Sequence, residues 1–266
     1  MPHPITRILD IGAVVLLVLY AWLAWASSSG SGGAALDPVW ASVRAQGTLR
    51  IAVDVGFRPF ADQHGSELVG YDIDLARAIA ERLGLRVEFV PTGFDALYDS
   101  LTSGRADMIA SALPYAPEQG YRARFSHFYF DAGQVLVVPS AAPNHNPTDL
   151  AGRVVGVALG SEGDTLARRM LGDGGHFQLI ADYNTPDEAL EALRREQLDA
   201  VITDNVSALS AVQHTPGLRI DRALTSEPFA LGLPRAAFQL EAEVNRALTQ
   251  LRHEGFLEEL NQRWLR

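Results

Sequence analysis

The sequence predicts an α/β protein built on mostly parallel sheets covered by helices, and three observations carry that expectation. Strand and helix signals alternate from residue 47 onward. The alternation starts afresh near residue 154. A helix–turn–strand passage, Leu101-x3-Arg105-Ala106-Asp107-x-Ile109, has a counterpart 92 residues later in Leu193-x3-Gln197-Leu198-Asp199-x-Val201. In both, a helix ends, a polar turn carries an Asp, and a buried-type strand begins. An offset that long is not a solenoid period; it fits two lobes built to one plan.

The elements follow in order. Leu49 to Val53 reads as a strand. Asp72 to Leu83 reads as a helix, with Ile73, Ala76, Ala80 and Leu83 on one face and Gly84 just past its end. Val87 to Val90 is a strand closed by Pro91. Phe94 to Ser103 is a helix with Phe94, Leu97 and Leu101 on one stripe, and Met108 to Ala110 a buried strand. The second series runs through a strand at 154–158, a helix at 164–171, a strand at 179–183, a helix at 186–196, a strand at 200–202 and a helix at 205–214. A long helix carrying Leu240, Val244, Ala247, Leu248 and Leu251 follows, then a short one ending near Trp264. This βαβαβ order predicts parallel pairing.

Composition narrows the function. The chain has 266 residues, 47% hydrophobic and 20% charged, with a formal net charge of −10. An acidic surface argues against nucleic acid as a partner, since phosphate binding needs clustered Lys and Arg. There is no cysteine, which excludes disulfides, thiol nucleophiles, Cys-ligated zinc and a lipid-bearing N-terminal Cys. The seven histidines show no metal-ligand spacing, and no cofactor is implied.

Residues 11–26, IGAVVLLVLYAWLAWA, form an uncharged apolar run. It falls between a signal-peptide core and a full bilayer span. Ala24-Trp25-Ala26 has the small residues of a cleavage site, which favours a cleaved export signal over a retained transmembrane anchor. Residues 27–35, SSSGSGGAA, cannot bury apolar area, and 27–46 is expected to be a flexible linker and lead-in. On either reading the remainder is exported, and the membrane is met only through the N-terminal segment.

Four motifs in order then resemble a known family. Leu49 to Phe60, LRIAVDVGFRPF, is similar to the strand-plus-loop opening of the family 3 extracellular solute-binding proteins of polar amino-acid-type ABC importers. Gly70-Tyr71-Asp72-Ile73-Asp74-Leu75 looks like its helix entry, Gly104-Arg105-Ala106-Asp107 its turn, and Leu198 to Asp204, LDAVITD, its second-lobe motif. The resemblance covers about 47–266. It implies a two-lobed periplasmic-binding-protein fold of type II with two crossover hinge strands. Lobe 1 would take 47–130 plus 229–266 and lobe 2 134–226, with hinges near 129–133 and 225–229. It also implies a monomer in the periplasm, or on the outer face of the cytoplasmic membrane, that serves an ABC permease and is not an enzyme.

The same resemblance selects ligand-binding candidates. Asp54 closes the first strand, where it can accept from a ligand amine or fix its loop. Phe57 and Phe94 stand where the family places aromatic walls, and Arg58 follows Phe57. Ser161 and Glu162 lie in the loop that opens a lobe-2 helix, where backbone N–H groups favour an anion and Ser161 can equally cap the helix. Asp204, after Thr203, matches the amine-binding Asp; an N-cap role is the other reading. The segment Ser111 to Gln119 departs from the family. Pro114 stands at the Thr position and Gln119 at the position of the Arg that clamps a ligand carboxylate, and Gln supplies neither the charge nor the fork. Arg58, Arg122 or Arg124 would have to compensate.

An acidic cleft formed by Asp54, Glu162 and Asp204 points to an amine-bearing solute or amino acid. Two other classes stay open: an enzyme of the cyclohexadienyl dehydratase kind on the same scaffold, and a ligand-sensing receptor working through a separate partner.

Overall fold

The computed structural model describes residues 37–142, 150–214 and 216–265. The apolar run at 11–26 and the Ser/Gly stretch lie outside them. Among the described residues no helix is long and apolar enough to cross a membrane.

The first lobe opens with α1 (Pro38–Gln46) and β1 (Thr48–Val53). Residues 38–46, expected as the tail of a linker, are thus helical, because Trp40 and Val43 find a core to enter. A hairpin of β2 (Asp62–His64) and β3 (Glu67–Val69) precedes α2 (Tyr71–Arg82) and β4 (Arg86–Pro91). A 3₁₀ turn at Phe94–Ala96 leads into α3 (Leu97–Thr102), then β5 (Met108–Ile109). The tighter turn breaks the expected stripe: Leu97 and Leu101 are buried, whereas Phe94 is 48% exposed. After β6 (Ala123–Asp131) the chain enters the second lobe.

That lobe contains β7 (Gln134–Pro139), β8 (Val154–Ala158), α4 (Glu162–Gly172), β9 (Gln178–Tyr183), α5 (Pro186–Arg194), β10 (Ala200–Asp204), α6 (Asn205–His214) and β11 (Leu218–Ala223). The chain then returns to lobe 1 through β12 (Pro228–Pro234), α7 (Phe238–His253) and α8 (Phe256–Trp264).

The sheets share one plan. Lobe 1 is ordered β4-β1-β5-β12-β6 and lobe 2, in the matching direction, β9-β8-β10-β7-β11. In each, three parallel strands meet a fourth that runs antiparallel and enters from a crossover. Both faces of each sheet are covered, which is why the strands read as unbroken apolar runs. Along β7, Val135 and Val137 pack on one face with Leu190, Leu193 and Val201, while Leu136 and Val138 pack on the other with Val155, Val157 and Ile202.

The sequence echo has a physical cause. Asp107 Oδ2 accepts the backbone N–H of Arg50 at 3.0 Å, and Asp199 Oδ2 accepts that of Val154 at 2.8 Å. In return, the backbone N–H groups of Asp107 and Asp199 donate to the carbonyls of Arg50 and Val154, each at 2.8 Å. Each Asp therefore fastens the strand that follows a helix to the middle strand of its lobe's three parallel strands. Asp107 is buried and also receives two guanidinium bonds from Arg50, whereas Asp199 is more open. Asp107→Ala is expected to cost about 2 kcal/mol, since it strands a buried donor and a cation, and Asp199→Ala less. Urea midpoints of the two variants check this.

The crossovers, residues 132–133 and 224–227, touch each other. Asp131 Oδ1 accepts from the backbone N–H groups of Gly133 at 2.9 Å and Glu227 at 2.8 Å, and Oδ2 from the Ser226 hydroxyl at 2.6 Å. The Gln134 backbone N–H donates to Thr225 Oγ1 at 2.8 Å. Gly133 lies so close that a Cβ there would sit 2.4 Å from the Thr225 carbonyl oxygen. A third tie comes from α6. Asn205 donates its backbone N–H to Gly133 O at 3.1 Å and its Nδ2 to Asp131 O at 2.7 Å, while Val206 and Leu209 pack on the lobe 1 core.

Candidate ligand-binding site

The lobe 1 candidates gather at the carboxyl ends of β1 and β5, where open α/β sheets bind small molecules. Asp54 follows β1, and its backbone N–H donates to the buried Ser111 Oγ at 2.9 Å. Its carboxylate makes no hydrogen bond among the described residues and is half-buried. Phe57 stacks on Phe60, with ring centroids 5.9 Å apart, and remains 52% exposed. Phe57 and Phe94 are thus exposed aromatic faces carried on loops.

The loop after β5 is held from below. Ala112 adopts φ +41°, a left-handed conformation that Ala rarely takes. Its N–H donates to Asp72 Oδ2, and Asp72 is fully buried at the start of α2. Burial pushes the Asp72 carboxyl up to about 7, partly opposed by the neighbouring Tyr129 hydroxyl and the hydrogen bond from Ala112. Burial and the neighbouring Asp72 raise Tyr129 well above its ordinary value. Asp72 therefore ties the Ser111–Ala112 loop to the start of α2.

The lobe 2 candidates sit at the carboxyl ends of β8 and β10. Ser161 caps α4, accepting from the Asp164 N–H at 3.1 Å and donating to Ala158 O at 2.7 Å. Glu162 is exposed in the first turn, with no ion-pair partner among the described residues. Asp204 caps α6: Oδ1 accepts the Ser207 N–H at 2.8 Å, and Oδ2 accepts the hydroxyls of Ser207 at 2.8 Å and Thr203 at 3.3 Å. A carboxylate has about four lone-pair sites, so capping leaves room for one more donor.

The guanidinium groups considered as substitutes for the missing clamp are engaged elsewhere. Arg58 pairs with Asp62 at 2.6 Å, Arg122 with Asp99, and Arg124 with Glu241. Gln119 ends a short 3₁₀ turn, and its buried Oε1 has no hydrogen-bond donor among the described residues.

Two carboxylates escape the sequence reading. Burial raises Glu227, and the charges of Glu162, Asp131 and Asp204 raise it further. Burial also disfavours charge on Asp131, but the bonds from Ser226, Glu227 and Gly133 outweigh it and hold that carboxyl below its ordinary value. Glu162, Asp204, Asp131 and Glu227 thus share one electrostatic environment around the crossovers. The only advance signal was that 131 and 227 fall within the expected hinges, near 129–133 and 225–229. No hydrogen bond or ion pair joins this group to Asp54, Phe57, Phe94 or Ser111.

Two sheets of one plan, exposed residues at their carboxyl strand ends and two crossovers define a two-lobed solute receptor. Residues 49–266 match the bacterial extracellular solute-binding proteins, family 3, and the chain belongs to that family. It is 26% identical over 219 residues to the arginine-binding extracellular protein ArtP of Bacillus subtilis, covering 81% of this chain and 85% of that one. It is 30% identical to the putative amino-acid ABC transporter-binding protein PatH of Vibrio harveyi, covering 84% and 91%. Among solved structures, an ancestral cyclohexadienyl dehydratase superposes with a TM-score of 0.71 at 26% identity, covering 87% of this chain and 97% of that one.

Proposed function

We propose that this protein is the extracytoplasmic receptor of an ABC importer and captures an amine-bearing solute between its lobes. Export or anchoring through residues 11–26 would place it outside the cytoplasmic membrane. The lobes would bend about the crossovers, with ligand contacts of the closed form driving closure.

The observation that carries this reading is the convergence of Glu162, Asp204, Asp131 and Glu227 around the crossovers, where burial and then the repulsion of the other three raise Glu227. A cation relieves that repulsion. The unpartnered carboxylate of Asp54 extends the acidic character to lobe 1. With Gln119 in place of a clamp and Arg58, Arg122 and Arg124 already paired, a ligand carboxylate gains little there. Relatives named for amino-acid transport support a nitrogen-bearing solute. A dehydratase acting on a cyclic carboxylate would need that clamp, which argues against the enzyme reading.

Calorimetry against arginine, lysine, putrescine and a simple dicarboxylate tests it. Amines are expected to bind and the dicarboxylate not to. Asp204→Asn keeps an oxygen to cap α6 but removes the charge. It is expected to weaken amine binding about tenfold or more at unchanged thermal stability. Tight binding of the dicarboxylate with no amine response would sink the proposal.

A further inference from the structure

Beside the crossovers lies a cavity of about 310 Å³ that the lobe 1 candidates do not line. Glu162, Thr165 and Arg169 form one wall, spaced three and four residues apart along a single stripe of α4. Gln134, Thr225 and Glu227 form the other. The volume is at the small end of ligand pockets, about 300–1,000 Å³.

Its charges are separated. Glu162 and Glu227 repel each other, which helps to raise Glu227. Arg169 stands seven residues along the helix from Glu162, about 10 Å at 1.5 Å per residue. It has no ion-pair partner among the described residues, unlike Arg168 one position earlier, which pairs with Asp164 at 2.7 Å. Gln134, which also lines the cavity, is only 6% exposed, yet its Oε1 lacks a donor among the described residues. A buried amide oxygen left without a donor costs about 1–3 kcal/mol, so a donor brought by a ligand is stabilising there.

We propose that this cavity extends the acidic group at the crossovers into a site for a linear zwitterion whose amine and carboxylate stand several carbons apart. The amine lies between Glu162 and Glu227, the chain runs past Thr165, and the carboxylate meets Arg169. A bound zwitterion would brace α4 against the second crossover. The cavity shares Glu162 and Glu227 with the acidic group proposed above to hold the amine, and so rests on that reading; Thr165, Gln134 and Arg169 are its own contribution.

The test is calorimetry with ε-aminocaproate, with hexylamine and hexanoate as single-charge controls, alongside amide NMR shifts. Wild type is expected to bind ε-aminocaproate at least about tenfold more tightly than either control, with shifts at 162–169 and 224–227. Arg169→Ala, an exposed change that leaves packing intact, is expected to reduce ε-aminocaproate to the affinity of hexylamine. Glu227→Gln is expected to reduce it to that of hexanoate, and Arg169→Glu to abolish preference for the zwitterion. Arg168→Ala, an exposed neighbour that does not line the cavity, is expected to leave the affinity for ε-aminocaproate unchanged. The proposal is overturned if ε-aminocaproate binds no more tightly than hexylamine or if Arg169→Ala binds it like wild type. Binding of hexylamine in either case leaves the amine reading above standing, whereas loss of all amine binding overturns both.

Discussion

Gly133→Ala is expected to lower the stability of the protein by about 3 kcal/mol, at the upper end for overpacking a tight site. The added Cβ would lie 2.4 Å from the Thr225 carbonyl oxygen, 2.7 Å from its carbon and 2.9 Å from Ser226 Cα, all of them backbone. No side chain can swing aside to make room, so the two crossovers must part. Parting them strains the bonds that Asp131 makes to Gly133, Ser226 and Glu227. Denaturant melts of the variant measure the loss. A wild-type midpoint would show that the crossovers separate at little cost.

The second large effect is a pH dependence centred on Asp72. Its carboxyl is raised to about 7 in the folded protein, chiefly by burial, against an ordinary value of 3.8. Between those values the folded state holds a proton that the unfolded state has lost. Linkage then makes stability fall as pH rises through the window, by about 1.4 kcal/mol per unit at most. Over pH 4 to 7 that amounts to something on the order of 4 kcal/mol as an upper limit. Asp72→Asn removes the titration, so wild type is expected to lose stability relative to the variant across this window. Parallel curves for the two proteins from pH 4 to 8 would show that Asp72 titrates normally. The same proton bears on the candidate site, because Asp72 holds Ala112 in its left-handed conformation beside Ser111.

The alternation of elements was legible because strands covered on both faces and amphipathic helices write simple patterns. Helix limits moved by a residue or two, as at Asp72–Leu83 against Tyr71–Arg82. The strands β6, β7, β11 and β12 were not read, although β7 and β12 are nearly continuous apolar runs, and two further missed elements carry weak patterns. α1 has only Trp40 and Val43 buried. The hairpin at 62–64 and 67–69 is short, polar and mostly exposed. Motif positions named the ends of β1, β8 and β10, but not what each side chain does there. Asp204 carries the cap and a share of the acidic field together, and Arg58, Arg122 and Arg124 find partners four, 23 and 117 residues away. Pairings of that kind are set by the assembled fold and leave no mark on local sequence. Glu227, Gln134 and Arg169 belong to the same category: each is unremarkable in its own segment and acquires meaning only where α4 faces the returning crossover.

The sheet order also governs how the chain is assembled as it emerges. The second lobe is written in one stretch, with all five of its strands between residues 134 and 223. The first is not. Its β12 stands between β5 and β6, yet it is the last strand to appear. Until residues 228–234 are available, β6 has no neighbour and the face covered by α7 stays open. As the chain emerges, the later-written half can therefore close on itself before the earlier one. That places the exposed interval, when a holdase or protease could act, in the segment that left the ribosome first.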